Sequence, residues 1–456
     1  MPSPLILVTG ATGYIASLLI PQLLEKGYRV RAMARQPERL RKREWYKHVE
    51  MVRADVMEPE TLVNAMQGVQ TAYYLIHNMS RGHGYTEAET QAAENFARAA
   101  EQADVEHIIY LGGLADPQQH IAPHMRSRIE TGMTLRQGRI PVTEFRAGVI
   151  AGSGSISFEM IRFMTELFPV IPGPRWLKNR SQPIAAQNVI DYLLAALTNP
   201  NGRGGVFEIG MRQVFQYTDL MQMYANARGH KRSFFLLPYV PVWFMAFGID
   251  LMTPVPYPIA YALVSGLSSD SVILHNTAEK TFPEVKLMDY ETAMVEAMKR
   301  LHPLKIERVW ESAPKRYDGF SEVKLLKYEG FFIDHRAVEV NLSAEKIMNV
   351  IKGFDKDGDW LFANWLWRLR GAIEGKQNNF YEVDVQRENL ILLHSKLKAP
   401  GEGWMEWRVE DGLLIQTAYF APRGLGGFLY WYALAPFHAY VFRGLLKTVI
   451  QKAMVQ

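Results

Sequence analysis

Gly10 and Gly13, in the run Thr9-Gly10-Ala11-Thr12-Gly13-Tyr14-Ile15-Ala16, have the type and spacing to hold an anion. Gly10 can turn tightly at a strand end, Gly13 has no Cβ to hold off a pyrophosphate, and the N–H groups of a helix start face the bound charge. The next chemistry-bearing residue is Arg35. An NAD site places an Asp or Glu there for the ribose 2′-hydroxyl; a cation instead favours a 2′-phosphate, and so NADP over NAD. A solvated surface Arg is the plainer alternative. Asp55, Val56, Ile76, His77 and Gly112 follow at the ends of later strands, where cofactor-facing residues gather in one crevice. Asp55 could equally cap a helix opening near Pro59.

Positioning these residues requires alternating strands and helices. Leu5–Val8 is an apolar run, and Ile15, Leu18, Leu19 and Leu23 repeat at helical spacing through Leu24. Arg29–Arg35, Val49–Val52, Thr71–Ile76 and His107–Leu111 read as strands, with Pro59–Met66 and Glu87–Ala103 as helices between them. Pro141–Ile150 supplies a sixth strand and Ala151–Ser155 a flexible crossing; Val189–Leu197 is a helix, Val206–Ile209 a strand, and Glu284–Leu301 a closing helix. The expected fold is α/β, a Rossmann-type doubly wound parallel sheet.

At 456 residues the chain exceeds one ordinary core, so two or three domains are expected. Lys and Arg number 51 against 47 Asp and Glu, and no dense basic tract appears, so nucleic acid is excluded as a partner. The chain has no Cys, which removes disulfides, thiolate metal sites and cysteine nucleophiles. His77, His83, His120 and His124 lack acids at ligand spacing, so no metal site is expected. The first residues show no basic and apolar leader, and a cytoplasmic location is expected.

Thr9–Ala16, Ala34-Arg35, Ala54-Asp55-Val56 and Tyr110-Leu111-Gly112-Gly113 resemble the atypical, extended-type short-chain dehydrogenase/reductases, an NmrA-like group that includes relatives of the 39-kDa accessory subunit of respiratory complex I. The resemblance covers roughly the first two thirds of the chain. It implies phosphate contacts at Gly10, Thr12, Gly13, Tyr14 and Ile15, a 2′-phosphate at Arg35 and the adenine edge at Asp55-Val56. Ala16 replaces a frequent third glycine and is still small enough for helix–strand packing. Gln182-Pro183-Ile184 resembles the return to the sheet, which places Ser181–Ala186 beside the substrate pocket. Catalytic members use Tyr-x-x-x-Lys and a strand-end Ser; here the Ser position reads Gly112-Gly113, and Pro123–Glu130 holds neither Tyr nor Lys. His124 and Arg128 have the same i, i+4 spacing and could supply a proton donor beside a cation, although such a pair is more often a solvated face. The catalytic residues therefore stay unassigned.

Ser233–Leu267 holds one ionisable group, Asp250, but five prolines break it, which argues against a membrane span and suits packing, a lid or an interfacial segment. The expected division is an NAD(P)-binding domain over 1–304, a linker over 305–320 and a second domain over 321–456. Tyr328–Asn341 reads as a strand, Ser343 as the N-cap of helix Ile347–Phe354, and Asn379–Gln386, Leu390–Leu397, Trp404–Val409 and Leu413–Phe420 as further strands. Gly424–Phe442 carries no formal charge and reads as a buried helix, with peripheral membrane contact the less favoured reading.

This order is that of a helix-grip (START-like) fold. Leu366–Gly371, Leu397–Gly401, Trp404–Val409, Ala421–Gly427 and Tyr430-Trp431-Tyr432 resemble an uncharacterised domain fused to such reductases, with Ala372–Phe380 departing from its pattern. Trp360, Trp365, Trp367, Trp404, Trp407 and Trp431 could line a cavity or fill it. With Arg368, Arg370 and Arg408, they suit a small hydrophobic ligand that has an anionic or carbonyl end. Two functions remain: an NADPH-dependent oxidoreductase acting on a hydrophobic carbonyl or quinone-like substrate, or a non-catalytic NADP-binding sensor or assembly protein.

Overall fold

The computed structural model describes residues 3–41, 43–77, 85–119, 121–252, 255–305, 324–328, 330–353, 362–365 and 380–455. The chain forms two compact units, one over residues 1–165 and 170–309, the other over 166–169 and 310–456.

The first unit is built on seven parallel strands: β1 (Leu5–Val8), β2 (Arg29–Ala34), β3 (Glu50–Arg53), β4 (Thr71–Tyr74), β5 (His107–Gly113), β6 (Val142–Ala147) and β7 (Val206–Ile209). They lie in the order β7-β6-β5-β4-β1-β2-β3, so the chain reverses direction across the sheet between β1 and β4. β1, β4 and β5 are buried along their whole length, as apolar runs covered on both faces must be. Helices α1 (Tyr14–Glu25), α2 (Pro59–Met66), α3 (Tyr85–Gln102) and α4 (Pro123–Arg136) supply that cover. The two faces form separate cores, one around Leu19, Tyr73, Phe145 and Phe282, the other around Leu62, Tyr74, Phe96 and Ile108. The α/β fold expected from the alternation is the fold observed.

Beyond β6 the chain adds α5 (Ile156–Leu167), α6 (Ala186–Thr198), α7 (Tyr217–Ala227), α8 (Val242–Met252) and α9 (Tyr257–Gly266). A parallel ribbon pairs Val170–Pro174 with Ser233–Leu237. The helix expected over Glu284–Leu301 is shorter, Tyr290–Lys299. Pro283 lacks an N–H donor, and the Asp289 side chain accepts from Thr292 N and starts the helix late. Val285 and Leu287 instead pack on the core from outside any helix.

The second unit has six antiparallel strands: β8 (Lys324–Tyr328), β9 (Phe331–Glu339), β10 (Tyr381–Arg387), β11 (Leu390–Ser395), β12 (Gly401–Glu410) and β13 (Leu413–Pro422). Their order is β8-β9-β13-β12-β11-β10. The single strand expected from Tyr328 is thus the second arm of a hairpin turning at Gly330, whose φ is +86°. Helix α10 (Ala344–Lys352) is capped by Ser343, whose Oγ accepts from Lys346 N. Helix α11 (Gly424–Val455) buries Trp431, Phe442, Leu445 and Val449, but leaves Leu429, Tyr432, Phe437 and Tyr440 exposed. The buried helix expected over Gly424–Phe442 is therefore buried along one face only, and Pro436 lies on the open side. Among the described residues, no helix is long and apolar enough to cross a membrane.

Candidate functional site

Gly10 occupies left-handed backbone (φ +62°), and a Cβ there would lie 2.9 Å from the Leu75 carbonyl oxygen. Only glycine lets the turn after β1 lie this close to the chain leaving β4. The same junction is fixed by Thr9, whose Oγ1 donates to Tyr73 O (2.9 Å) and accepts from Leu75 N (3.0 Å). Gly13 N donates to Gly10 O at 2.7 Å, and no side chain caps the start of α1. A glycine turn feeding an uncapped helix start at a reversal of strand order is the arrangement that suits a dinucleotide.

The expected site residues fall around this point in different environments. Thr12, Tyr14 and Ile15 are half-buried on the turn and first helical turn; Ile15 packs on the core while Tyr14 reaches a neighbouring cavity. Arg35 is exposed immediately beyond β2 and makes no ion pair with another described residue. Asp55 does not cap α2: its Oδ1 accepts from Met57 N at 3.0 Å and closes a local turn. Val56 is buried in the core, its carbonyl accepting from Asn95 Nδ2 at 2.9 Å. Ile76 packs beside that core, and His77 turns to α3, with Nδ1 2.8 Å from Glu89 Oε1.

His77 belongs to a cavity of about 260 Å³ whose wall also includes Tyr14, Gly112, Gly113, His124 and Arg128. The remaining wall is mostly apolar and includes Met160, Ile161, Met221, Ile249 and Val264. His124 and Arg128 do not form a solvated face. His124 is only 5% exposed and lies against Gly266, where a Cβ would come within 2.8 Å of the imidazole. Arg128 Nη2 donates to Leu111 O at 2.7 Å. Glu89 accepts from Ser127 Oγ, so α3 and α4 are tied beneath the cavity. Among the described residues, His77 Nε2, His124 Nδ1 and Arg128 Nε are buried without a hydrogen-bond partner.

Burial, with His77 and Arg128 nearby, pushes His124 down to about 3, so it is neutral near pH 7. Burial and Arg128 also lower His77, against the opposing pull of Glu89. Arg128 is thus the fixed cation among the polar groups of this wall. A Cβ on Gly113 would stand 2.7 Å from Met125 Cε and 3.1 Å from Arg128. Gly113, the second of the two glycines where the resemblance places Ser, is the one that lets α4 close onto the strand end; Gly112 faces Glu144 of β6 and Tyr110 instead.

Ser181–Ala186 does not border the cavity. Gln182 N donates to Ser271 O, and Ser181 is fully buried behind the Ser269–Ser271 segment that forms the wall. No group of three or more metal-ligating side chains occurs among the described residues, and His83 and His120 lie outside them.

In the second unit, Trp404, Trp407 and Trp431 are buried, with Trp407 central to a core shared by the sheet, α10 and α11. None of the three borders the cavity of this unit that is formed by described residues. Trp365 is exposed, Arg408 is paired with Glu406 at 2.9 Å, and Trp360, Trp367, Arg368 and Arg370 lie outside the described residues. So do most of the 305–320 linker, all of the Ala372–Phe380 loop except Phe380, and Phe354. A separate cavity of about 620 Å³ is lined by Arg336, Phe362, Tyr440, Arg443 and Lys447, none of which the aromatic pattern singled out.

Residues 10–131 match a family described as NAD(P)H-binding, and residues 373–445 one described as a protein of unknown function (DUF2867). The first unit has a Rossmann-type fold, and the NAD(P)H-binding match covers its glycine turn. An uncharacterised oxidoreductase of Schizosaccharomyces pombe is 34% identical over 131 residues, 25% of this chain, and the chain spans only 38% of its length. Photosystem II assembly factor Ycf39 of Trieres chinensis is 22% identical over 67% of this chain and 97% of its own. Among solved structures, the Citrobacter triphenylmethane reductase complexed with NADP(H) has a TM-score of 0.52 at 20% identity, covering 64% of this chain and 99% of that one. An Escherichia coli NADPH-dependent quinone oxidoreductase complexed with NADPH has a TM-score of 0.52 at 17% identity, covering 64% and 99%. These two likenesses are of fold.

Proposed function

We propose that the chain is an NADPH-dependent oxidoreductase that reduces a hydrophobic carbonyl or quinone-like compound. The carrying observation is an apolar cavity at the strand ends whose wall holds three buried, unpartnered nitrogens on His77, His124 and Arg128. An apolar pocket with a few convergent polar groups suits a lipophilic ligand with one polar end. Gly10, Gly13 and the start of α1 would hold the pyrophosphate, and Arg35 the 2′-phosphate. NADPH supplies the hydride. The chain's own residues receive the charge that develops on the substrate oxygen: Arg128 as a fixed cation, and His124, neutral, as a hydrogen-bond donor. The names of the two NADP(H)-complexed reductases favour this reading. The direct test follows NADPH absorbance over a carbonyl and quinone panel; no oxidation above the His124→Gln, Arg128→Met double variant would overturn it.

The alternative, a non-catalytic assembly protein, draws on the absent Tyr-x-x-x-Lys and on the Ycf39 match over nearly all of that protein. It expects NADPH binding without turnover across the whole panel. We read the second unit as a helix-grip domain whose cavity of about 620 Å³, apolar at Phe362 and cationic at Arg443, takes an amphiphile with an anionic end. Mass spectrometry of organic extracts of the purified full chain tests this, and a clean extract counts against it.

A further inference from the structure

Helices α8 and α9 are apolar on both faces. Met245, Ile249, Leu263 and Val264 look into the cavity of the first unit. The opposite side of α8 sets Trp243, Phe244, Phe247 and Leu251 in solvent, exposed by 54–65%, and Tyr257 and Tyr261 continue it along α9. The adjoining ribbon adds Val170 and Phe235, also outward. A helix apolar all round is normally enclosed, and an exposed patch of this kind is an interaction site.

We propose that this face docks on a lipid surface and that the cavity beneath it receives its substrate from the bilayer. The second part rests on the reductase reading of the cavity. Trp and Tyr beside Phe and Leu are the side chains that settle at a membrane–water interface, and α8 is too short to span. Charge agrees. The one acid between residues 233 and 267 is Asp250, whose Oδ1 accepts from Tyr257 N at 3.0 Å and joins the two helices. The borders of the ribbon are cationic, with Lys231 before one strand and Arg175 and Lys178 after the other, all exposed. That rim complements anionic headgroups, whereas a second copy of the same face would offer it no acid except Asp250. The arrangement leaves two helices between acyl chains and an apolar cavity, so a lipophilic substrate need not cross water.

The test is flotation of the full chain with vesicles of phosphatidylcholine and phosphatidylglycerol. Wild type should float, less with phosphatidylcholine alone, and Trp243→Ser with Phe247→Ser should lower partitioning roughly tenfold or more. Unchanged NADPH affinity and melting would show that the double variant is folded. Failure of wild type to float, equal flotation of the variant, or a vesicle-indifferent self-association that the variant abolishes would each overturn the docking face. In the second arm, the variant should reduce a short-chain quinone in water normally and a long-chain quinone in vesicles slowly. Equal rates on both would overturn bilayer delivery, whereas no turnover of either by wild type counts against the reductase reading and leaves flotation to decide the docking face.

Discussion

Arg128 and Leu111 are joined by a 2.7 Å hydrogen bond from the guanidinium Nη2 to the backbone carbonyl, which holds α4 against the end of β5. Gly113 fits tightly against this contact, because a Cβ there would stand 3.1 Å from Arg128 Cδ and Nε. Met125 Cε, at 2.7 Å, is the far end of a flexible side chain and can move aside; the anchored stem of Arg128 cannot. Gly113→Ala should therefore displace the cation and lower quinone turnover roughly tenfold or more, with NADPH affinity unchanged. Equal turnover in the variant would show that Arg128 has no positional role.

Gly10→Ala tests the turn itself. The substitution combines left-handed backbone with a methyl 2.9 Å from the Leu75 oxygen, so it should cost about 1–3 kcal/mol of stability. Dinucleotide affinity should fall with it, because the loop must withdraw from β4. Calorimetry and chemical denaturation measure the two effects, and a variant as stable as wild type would mean the positive φ is not required.

Arg35 decides between cofactors. Removing its charge-assisted contact to a 2′-phosphate should cost about 1.5–3 kcal/mol, so Arg35→Ala should weaken NADPH roughly tenfold or more and leave NADH nearly unchanged. Because the residue is exposed beyond β2, the substitution should leave melting unchanged. Parallel loss of both nucleotides would remove the assignment.

The alternating sheet was legible because buried parallel strands are written as short apolar runs between helical repeats, as at Leu5–Val8 and Thr71–Tyr74. The glycine turn was legible for a local reason: the left-handed backbone at Gly10 and the missing Cβ at Gly13 are written in the residue types themselves, although the close approach of Leu75 is not. His124 was not. Its burial is set by Gly266, 142 positions away, and neither residue signals the other in the sequence. Likewise, that Ser269–Ser271 rather than Ser181–Ala186 lines this cavity depends on a pairing across some 90 positions that no local pattern signals. Trp407 was readable as apolar mass only, because lining and filling differ by what stands on the other side of the ring.

The buried histidines predict how stability responds to acid. His124 is depressed to about 3 and His107, which meets Thr143 Oγ1 at 2.8 Å, to about 4, burial being the main cause at both. An unfolded chain takes up these protons near pH 6.5, so from there down to about pH 4 the unfolded state binds more of them than the folded state. Stability therefore falls as pH is lowered through that window. At pH 5 each histidine should account for about 2 kcal/mol of the loss relative to pH 7, an upper figure because partial opening would let water reach the ring. His124→Gln removes one titrating group and should reduce the loss between pH 7 and pH 5 by about that amount, whatever it does to stability at pH 7. Urea denaturation of both proteins at the two pH values makes the comparison, and an identical loss in wild type and variant would mean that His124 is not held neutral by its surroundings.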